Sequence, residues 1–317
     1  MRAICRPCIL NPRSARASAL LVVLWVVAFL SFLVVTGMMV TSQEMESLAS
    51  RKLASRARHL AEMGLAVAAH PRVESGQSIL TSKLSELESY EARKTSEEGR
   101  LNLNAFLTEE RRGVLEQLFQ GWGLQPAEAQ TLVNAMMDWV DADDLPRLNS
   151  AEKAQYLEAG FPGRPTNRPF RSLDEVELVA GMETLAAHKP DWRESFTLWG
   201  RGRLDINAAS AELLAVVTGL PSGAVEMIVR HRAGPDGIAY TNDDTPFKDI
   251  DDFLELLGLS GDEDERRNIT DWVTVEGHIK RVESVGRIGD YSRGIVVVVK
   301  DNGTKPEMLE WREFVIK

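Results

Sequence analysis

The chain has 317 residues, enough for a membrane anchor and more than one core, since domains usually run about 100 to 200 residues. Its 37 Lys and Arg against 47 Asp and Glu give a formal net charge of -10, which opposes non-specific attraction to nucleic acid and to anionic lipid heads. Only Cys5 and Cys8 are present, both ahead of the apolar segment, which excludes a disulfide, a thiolate zinc site and a cysteine nucleophile from the globular part.

Residues 1–16 carry Arg2, Arg6, Arg13 and Arg16 and no acid, so the positive-inside rule expects this end in the cytoplasm and everything after the span exported. No residue of 17–43 is charged, and 19–40 alone would extend about 33 Å as helix, enough for a bilayer. The run is too long for the apolar region of a cleaved secretory signal. A plain single-pass anchor has the same hydropathy, and continuity argues for something more. Helix-compatible sequence goes on through 44–69, with Leu53, Ala57, Leu60, Gly64 and Val67 on one stripe and an expected stop at His70 before Pro71. A helix of roughly 50 residues is predicted, half in lipid and half with an apolar stripe that needs a partner surface.

The stretch from Arg16, RASALLVVLWVVAFLSFLV, resembles the type IV pilin N-terminus, in which a short basic leader is cut immediately before an unbroken hydrophobic helix. Alignment on ALLVVL puts the cut between Ala17 and Ser18, with alanine where the family normally has glycine. The same register puts Val22 at mature position five, where most pilins carry glutamate. Protein K of type II secretion systems is the pseudopilin noted for lacking that glutamate.

Beyond the stem the sequence repeats. GRLNLNA at 99–105 recurs as GRLDINA at 202–208, and PFRSLDEVELVAGM at 169–182 matches PFKDIDDFLELLGL at 246–259, in the same order, which implies two copies of one helical module. Thr108 before Glu109 and Glu110 reads as an N-cap, Ser172 with Glu175 as a capping box, and Asp249 with Asp252 as its equivalent. Short helices over 213–217 and 225–229 are expected to meet at the Gly219 to Gly223 turn, so the second module resembles paired helix-hairpin-helix units. Val273, Val275 and Ile279 alternate with polar residues, an apolar run follows at 295–299 before Asn302-Gly303, and 309–316 supplies a further strand, so the last 45 or so residues predict antiparallel strands.

Together these readings predict an α+β fold. A pilin-like N-terminal transmembrane stem helix with a small antiparallel sheet carries a large inserted all-α domain of two helix-hairpin-helix or SAM-like modules. The expected boundaries are a basic prepilin leader at 1–17, the transmembrane part of the stem at 18–43, periplasmic stem helix and linker at 44–98, the modules at 99–201 and 202–270, and terminal strands at 271–317. The order resembles the type II secretion protein K (GspK) family of minor pseudopilins over nearly the whole chain. That resemblance implies a structural tip subunit of the pseudopilus that nucleates or caps the filament, anchored once in the bacterial inner membrane with its C-terminal domain periplasmic. Its implied partners are the other minor pseudopilins, the major pseudopilin and a prepilin peptidase, with methylation accompanying processing.

Asp138, Asp141, Asp143, Asp144, Asn149 and Glu152 make DWVDADDLPRLNSAE acidic enough for a hard cation, but Leu145 and Pro146 stand where an EF-hand wants Asp or Asn and then Gly. The residues alone read more readily as a capped, solvated turn after a helix. The protein K resemblance implies calcium here, with Asp141, Asp143, Asp144 and Glu152 as candidate ligands. A second acidic loop holds Asp236, Asn242, Asp243 and Asp244. The competing function is a membrane-anchored DNA receptor of competence type, using Gly219, Gly223, Arg230, His231 and Arg232 on phosphates. Asp236, Asp243, Asp244, Asp249, Asp251 and Asp252 surround those cations, so no nucleic-acid partner is expected. No HExxH, GxSxG, P-loop or GxGxxG context appears, and His59, His70, His188, His231 and His278 do not cluster, so no enzyme is predicted.

Overall fold

The computed structural model describes residues 12–259, 263–300 and 307–316, with backbone alone at 12–20, 40, 42, 263–265 and 268. The chain divides into two units, Met1–Arg56 and Ala57–Lys317. The described part of the first is α-helix, belonging to α1 (Pro12–Ala68). Among the described residues one helix is long and apolar enough to cross a membrane, with a mean hydropathy of 2.6. Every side chain from residue 21 to 39 is exposed, Trp25, Phe29, Phe32 and Met38 among them, the pattern of a helix made for lipid or for other helices rather than for one side of a core.

In the second unit, β1 (Thr81–Lys83) and β2 (Glu88–Ser96) follow the end of α1. Residues 97–278 then form short elements in two series. The first comprises β3 (Leu101–Asn102), α2 (Leu103–Phe106), α3 (Arg112–Gly121), α4 (Pro126–Val140), α5 (Lys153–Glu158), α6 (Leu173–Val176), α7 (Met182–His188) and β4 (Phe196–Thr197). The second comprises β5 (Leu204–Asp205), α8 (Ala211–Thr218), α9 (Ser222–Arg232), α10 (Ile250–Leu256), α11 (Glu263–Thr270) and β6 (Val273–Thr274). β7 (Ile279–Ile288), β8 (Tyr291–Lys300) and β9 (Glu307–Phe314) end the chain. The fold is mixed helix and sheet, with an N-terminal apolar helix and a small antiparallel sheet.

That sheet has the order β1-β2-β7-β8-β9. β2 and β7 pair without a break from Glu88 opposite Ile288 to Ser96 opposite Lys280, so residues 97–278 leave and re-enter the sheet at neighbouring strand ends. The C-terminal turns of α1 bury Ala57, Leu60, Ala61 and Ala68, with Ala61 packed on Ile295 and Val297 of β8. Gly286 lets helix and sheet meet, because a Cβ there would overlap the Ala57 carbonyl oxygen. Two expectations need correction. Residues 44–98 were expected as stem helix and linker, but 81–83 and 88–96 are strands; β2 reads ESYEARKTS and buries only Tyr90 and Ala92, too little apolar alternation to announce itself. Val273 was expected in the terminal sheet, yet β6 pairs in parallel with β5, and the sheet resumes at Ile279. The Asn302-Gly303 turn lies outside the described residues.

Each series is closed by a two-residue parallel bridge, β3 with β4 and β5 with β6. Each also carries the same clamp. Asn104 Nδ2 donates to the Phe170 carbonyl at 3.0 Å while the Phe170 N–H donates to Asn104 Oδ1 at 2.9 Å, and Asn207 makes the same pair with Phe247, both at 2.9 Å. The repeat openings pack on each other reciprocally: a Cβ on Gly99 would stand 2.7 Å from the Ala208 Cβ, and one on Gly202 would stand 2.5 Å from the Ala105 Cβ. One hydrophobic core runs through both series, from Phe106, Phe119, Trp139 and Trp192 to Leu213, Ile228 and Phe253.

Local chemistry explains the helix ends. The Ser172 hydroxyl accepts from Glu175 N–H at 3.3 Å and Asp249 from Asp252 N–H at 2.9 Å. α3 starts at Arg112 rather than after Thr108, whose carbonyl accepts from Arg111 and Arg112 while its buried hydroxyl has no partner, so the expected Thr108 cap does not form. At the junction with the sheet, the buried Glu98 carboxylate accepts from the His278 N–H at 2.6 Å and from Ile279 and Arg201 N–H, both at 3.4 Å. One side chain thus fastens the exit from residues 97–278 to its entrance.

Candidate functional site in the acidic loop

The loop after α4 is built around a buried acid. Asp138 has no exposed surface, accepts from the Arg147 N–H at 2.8 Å and pairs with the Arg147 guanidinium at 2.5 Å. The same guanidinium pairs with Asp141. Burial works against the Arg147 charge, but its bonds to Asp141 and Asp138 outweigh that and hold its pKa above the usual arginine value. Asp143 accepts from the Leu145 N–H at 2.9 Å, and the exposed Asp144 accepts from Asn167 Nδ2 at 3.3 Å. Glu152 is 1% exposed and is the N-cap of α5, with one oxygen accepting from the Lys153 N–H at 3.3 Å. Burial pushes its pKa up to about 7, against that bond, and the charges of Asp138, Asp141 and Asp144 push the same way.

Asp141 Oδ1 and Glu152 Oε1 are buried without a hydrogen-bond partner. Orphaned carboxylate oxygens in a dry site are costly unless something positive meets them, and a hard cation binds oxygen donors of this type. In this respect the candidate ligands fit calcium. Among the described residues, however, no group of three or more His, Cys, Asp or Glu side chains is gathered on one point, and Arg147 already supplies the positive charge to Asp138 and Asp141. Arg147 was not singled out in the sequence, although its place six residues after Asp141 in a turn is the pattern of an internal counter-ion.

The second acidic loop satisfies itself. Asp243 accepts from the Asp236 N–H at 3.1 Å, and Asp244 accepts from Tyr240 N–H at 2.7 Å and Thr241 N–H at 3.2 Å. These are turn aspartates. Two of the residues assigned to DNA are likewise engaged, while Arg230 is exposed. Arg232 donates from Nη1 to the Ile206 carbonyl at 2.5 Å and from Nη2 to the Ala209 carbonyl at 2.6 Å, and His231 stacks on Phe247 with centroids 4.8 Å apart. Both sit in the last turn of α9, at the negative end of its dipole and away from the Gly219 turn. Of the other histidines, His59 meets Glu62 and His188 meets the Thr184 carbonyl, both at 2.9 Å. Ala17 and Ser18 fall within α1, and their side chains lie outside the described residues.

A cleft of about 730 Å³ separates the sheet from the first series, lined on one side by Arg93, Glu97, Arg281 and Glu283 and closed by a 3.3 Å bond from Trp199 Nε1 to Glu310. Burial raises the Glu97 carboxyl and lowers the Arg100 guanidinium, and the Arg281 charge lowers the latter further. Acids and bases line it in balance, so no excess of positive charge marks it as an anion site.

Comparison with known proteins follows the same division. Two family models, both described as protein K of the type II secretion system, match residues 99–189 and 204–276. Type II secretion system protein K of Klebsiella pneumoniae is 39% identical over 71 residues, and that of Pectobacterium carotovorum subsp. carotovorum 30% identical over 71. Each match spans 22% of this chain and 22% of the relative. The crystal structure of the GspK-GspI-GspJ complex from the enterotoxigenic Escherichia coli type 2 secretion system contains a chain of similar fold, with a TM-score of 0.61 and 15% identity, covering 86% of this chain and 99% of that one. The two family models fall one on each series and together cover more than half of the sequence, and the chain belongs to the family of type II secretion system protein K.

Proposed function

We propose that the chain is a structural, non-enzymatic minor pseudopilin at the tip of the type II secretion pseudopilus. One observation carries this reading: the fold combines an N-terminal apolar helix, a five-stranded sheet that receives the C-terminal turns of that helix, and 97–278 inserted between two paired strands. Such a bulky insert on a stem built to pack beside other stems would obstruct a subunit stacked above it. Val22 adds a second argument, since a subunit with none ahead of it has no terminal amine to pair, and an unpaired glutamate in hydrocarbon would be a net cost. The inserted series act as helix-hairpin-helix or SAM-like packing modules. The anchor crosses the inner membrane once, with leader arginines inside and the remainder periplasmic. Prepilin peptidase cuts between Ala17 and Ser18.

The other minor pseudopilins are the proposed neighbours, supported by the likeness to a chain solved in a GspK-GspI-GspJ complex; the major pseudopilin would lie below. Calcium is proposed at Asp141, Asp143, Asp144 and Glu152, where a bound cation would supply positive charge to the two orphaned oxygens and order the loop. The DNA-receptor alternative has lost support, because Arg232 and His231 are occupied within the fold. Full-length protein extracted from membranes should co-purify with the other minor pseudopilins and, by mass spectrometry, begin at Ser18. Recovery alone, from cells that make the whole set, would count against the assembly role; an intact leader beside an active peptidase would remove the processing claim alone.

A further inference from the structure

The internal repeat provides its own control. Residues 141–169 join α4 to Phe170 and residues 233–246 join α9 to Phe247, 29 residues against 14, yet both connections end in the same Asn–Phe clamp. The longer connection therefore holds length that closing the module does not require. Within it, Leu145, Leu148, Leu157 and Phe161 are 75%, 72%, 62% and 48% exposed. Removing such side chains from water is favourable, so four left exposed within 17 residues call for a partner.

Charge identifies what kind. Residues 97–278 hold 34 Asp and Glu against 17 Lys and Arg, a formal -17, while the rest of the chain is net positive. Around the four apolar side chains, Asp143, Asp144 and Glu158 are exposed against Lys153, while Arg164 lies over the Phe161 ring at 4.5 Å and Arg147 is committed to Asp138 and Asp141. An anionic lipid surface would be repelled, and a cationic polypeptide attracted. We propose that residues 141–161, when no calcium occupies Asp143 and Asp144, form a docking surface for a basic amphipathic polypeptide segment, whose apolar face covers Leu145, Leu148, Leu157 and Phe161 while its Lys or Arg residues meet the acidic rim; the assay is run in chelator for that reason. Recognition at this surface stands independently of the tip assignment.

The test uses full-length protein in zwitterionic nanodiscs with a benzophenone side chain at residue 148. The probe is a labelled 18-residue peptide of leucine and lysine with leucines on one helical face, against the same peptide with glutamate for lysine. Saturable photocrosslinking is expected with the lysine peptide and not with the glutamate peptide. It should fall at least tenfold when Leu145→Ser, Leu157→Ser and Phe161→Ser are combined, with circular dichroism unchanged. A benzophenone at residue 238, which is 61% exposed in the shorter connection, should crosslink no more than background. Equal crosslinking at 238, equal capture of the glutamate peptide, or no loss in a folded triple variant would overturn the proposal. Because no pseudopilus is present in the assay, its failure is separate from failure of the tip assignment.

Discussion

Changing Asn104 to Asp tests whether the repeated clamp holds each series closed. The native amide donates at 3.0 Å to the Phe170 carbonyl and accepts at 2.9 Å from its N–H. Aspartate keeps the second bond and sets an anionic oxygen against the carbonyl in place of the first. Losing one bond costs about 1 kcal/mol, and leaving a part-buried carbonyl unpaired beside a charge raises the total to about 2–3 kcal/mol. Asn207→Asp should cost more, about 3–4 kcal/mol, because Asn207 Nδ2 also donates to the Val275 carbonyl at 3.2 Å. At about 2–4 °C per kcal/mol for an insert of this size, N104D should lower Tm by roughly 4–12 °C and N207D by more. The deficits should shrink below the carboxyl pKa, where the protonated side chain donates again. Melting of full-length protein followed by tryptophan fluorescence reads this out. N104D within about 0.5 kcal/mol of wild type at neutral pH, or N207D milder than N104D, would refute the reasoning.

Calcium at 100 times its Kd should stabilise the insert by about 2.7 kcal/mol relative to chelator, and identical melting curves with no ion in elemental analysis would remove the metal. In chelator the Glu152 contribution is sign-determined: a carboxyl raised from 4.5 to about 7 by burial stabilises the fold while protonated, so Tm should fall as pH rises through that window and level off above it. Glu152→Gln should flatten that fall, and an unchanged profile would assign it to other groups. Arg232→Gln should cost about 2–3 kcal/mol by freeing the Ile206 and Ala209 carbonyls, with no saturable duplex binding before or after; submicromolar binding lost in the variant would restore the DNA reading.

Much of the architecture is legible in particular residues. The apolar stripe ending near His70 marks α1, which closes at Ala68. The duplicated GRLNLNA and GRLDINA openings contain both clamp asparagines, and the paired PF dipeptides contain both clamp phenylalanines. Their pairing escapes the sequence because the bonds join residues 66 and 40 apart. β1 and β2 escape for a different reason: β2 pairs with β7 and β1 with β2, and that pairing, rather than their own alternation, makes them strands. In the candidate site the acids announce themselves, but burial decides among them, since Asp138 is wholly enclosed while Asp143 and Asp144 face solvent. Arg147, which neutralises two of them, carries no signature beyond its position in the turn.

The central claim is that one subunit of this family caps the filament, and immunogold labelling of full-length protein on pseudopili measures it most directly. A single cluster of label at one end of each filament is the predicted result. Label distributed along the filament length would contradict the account.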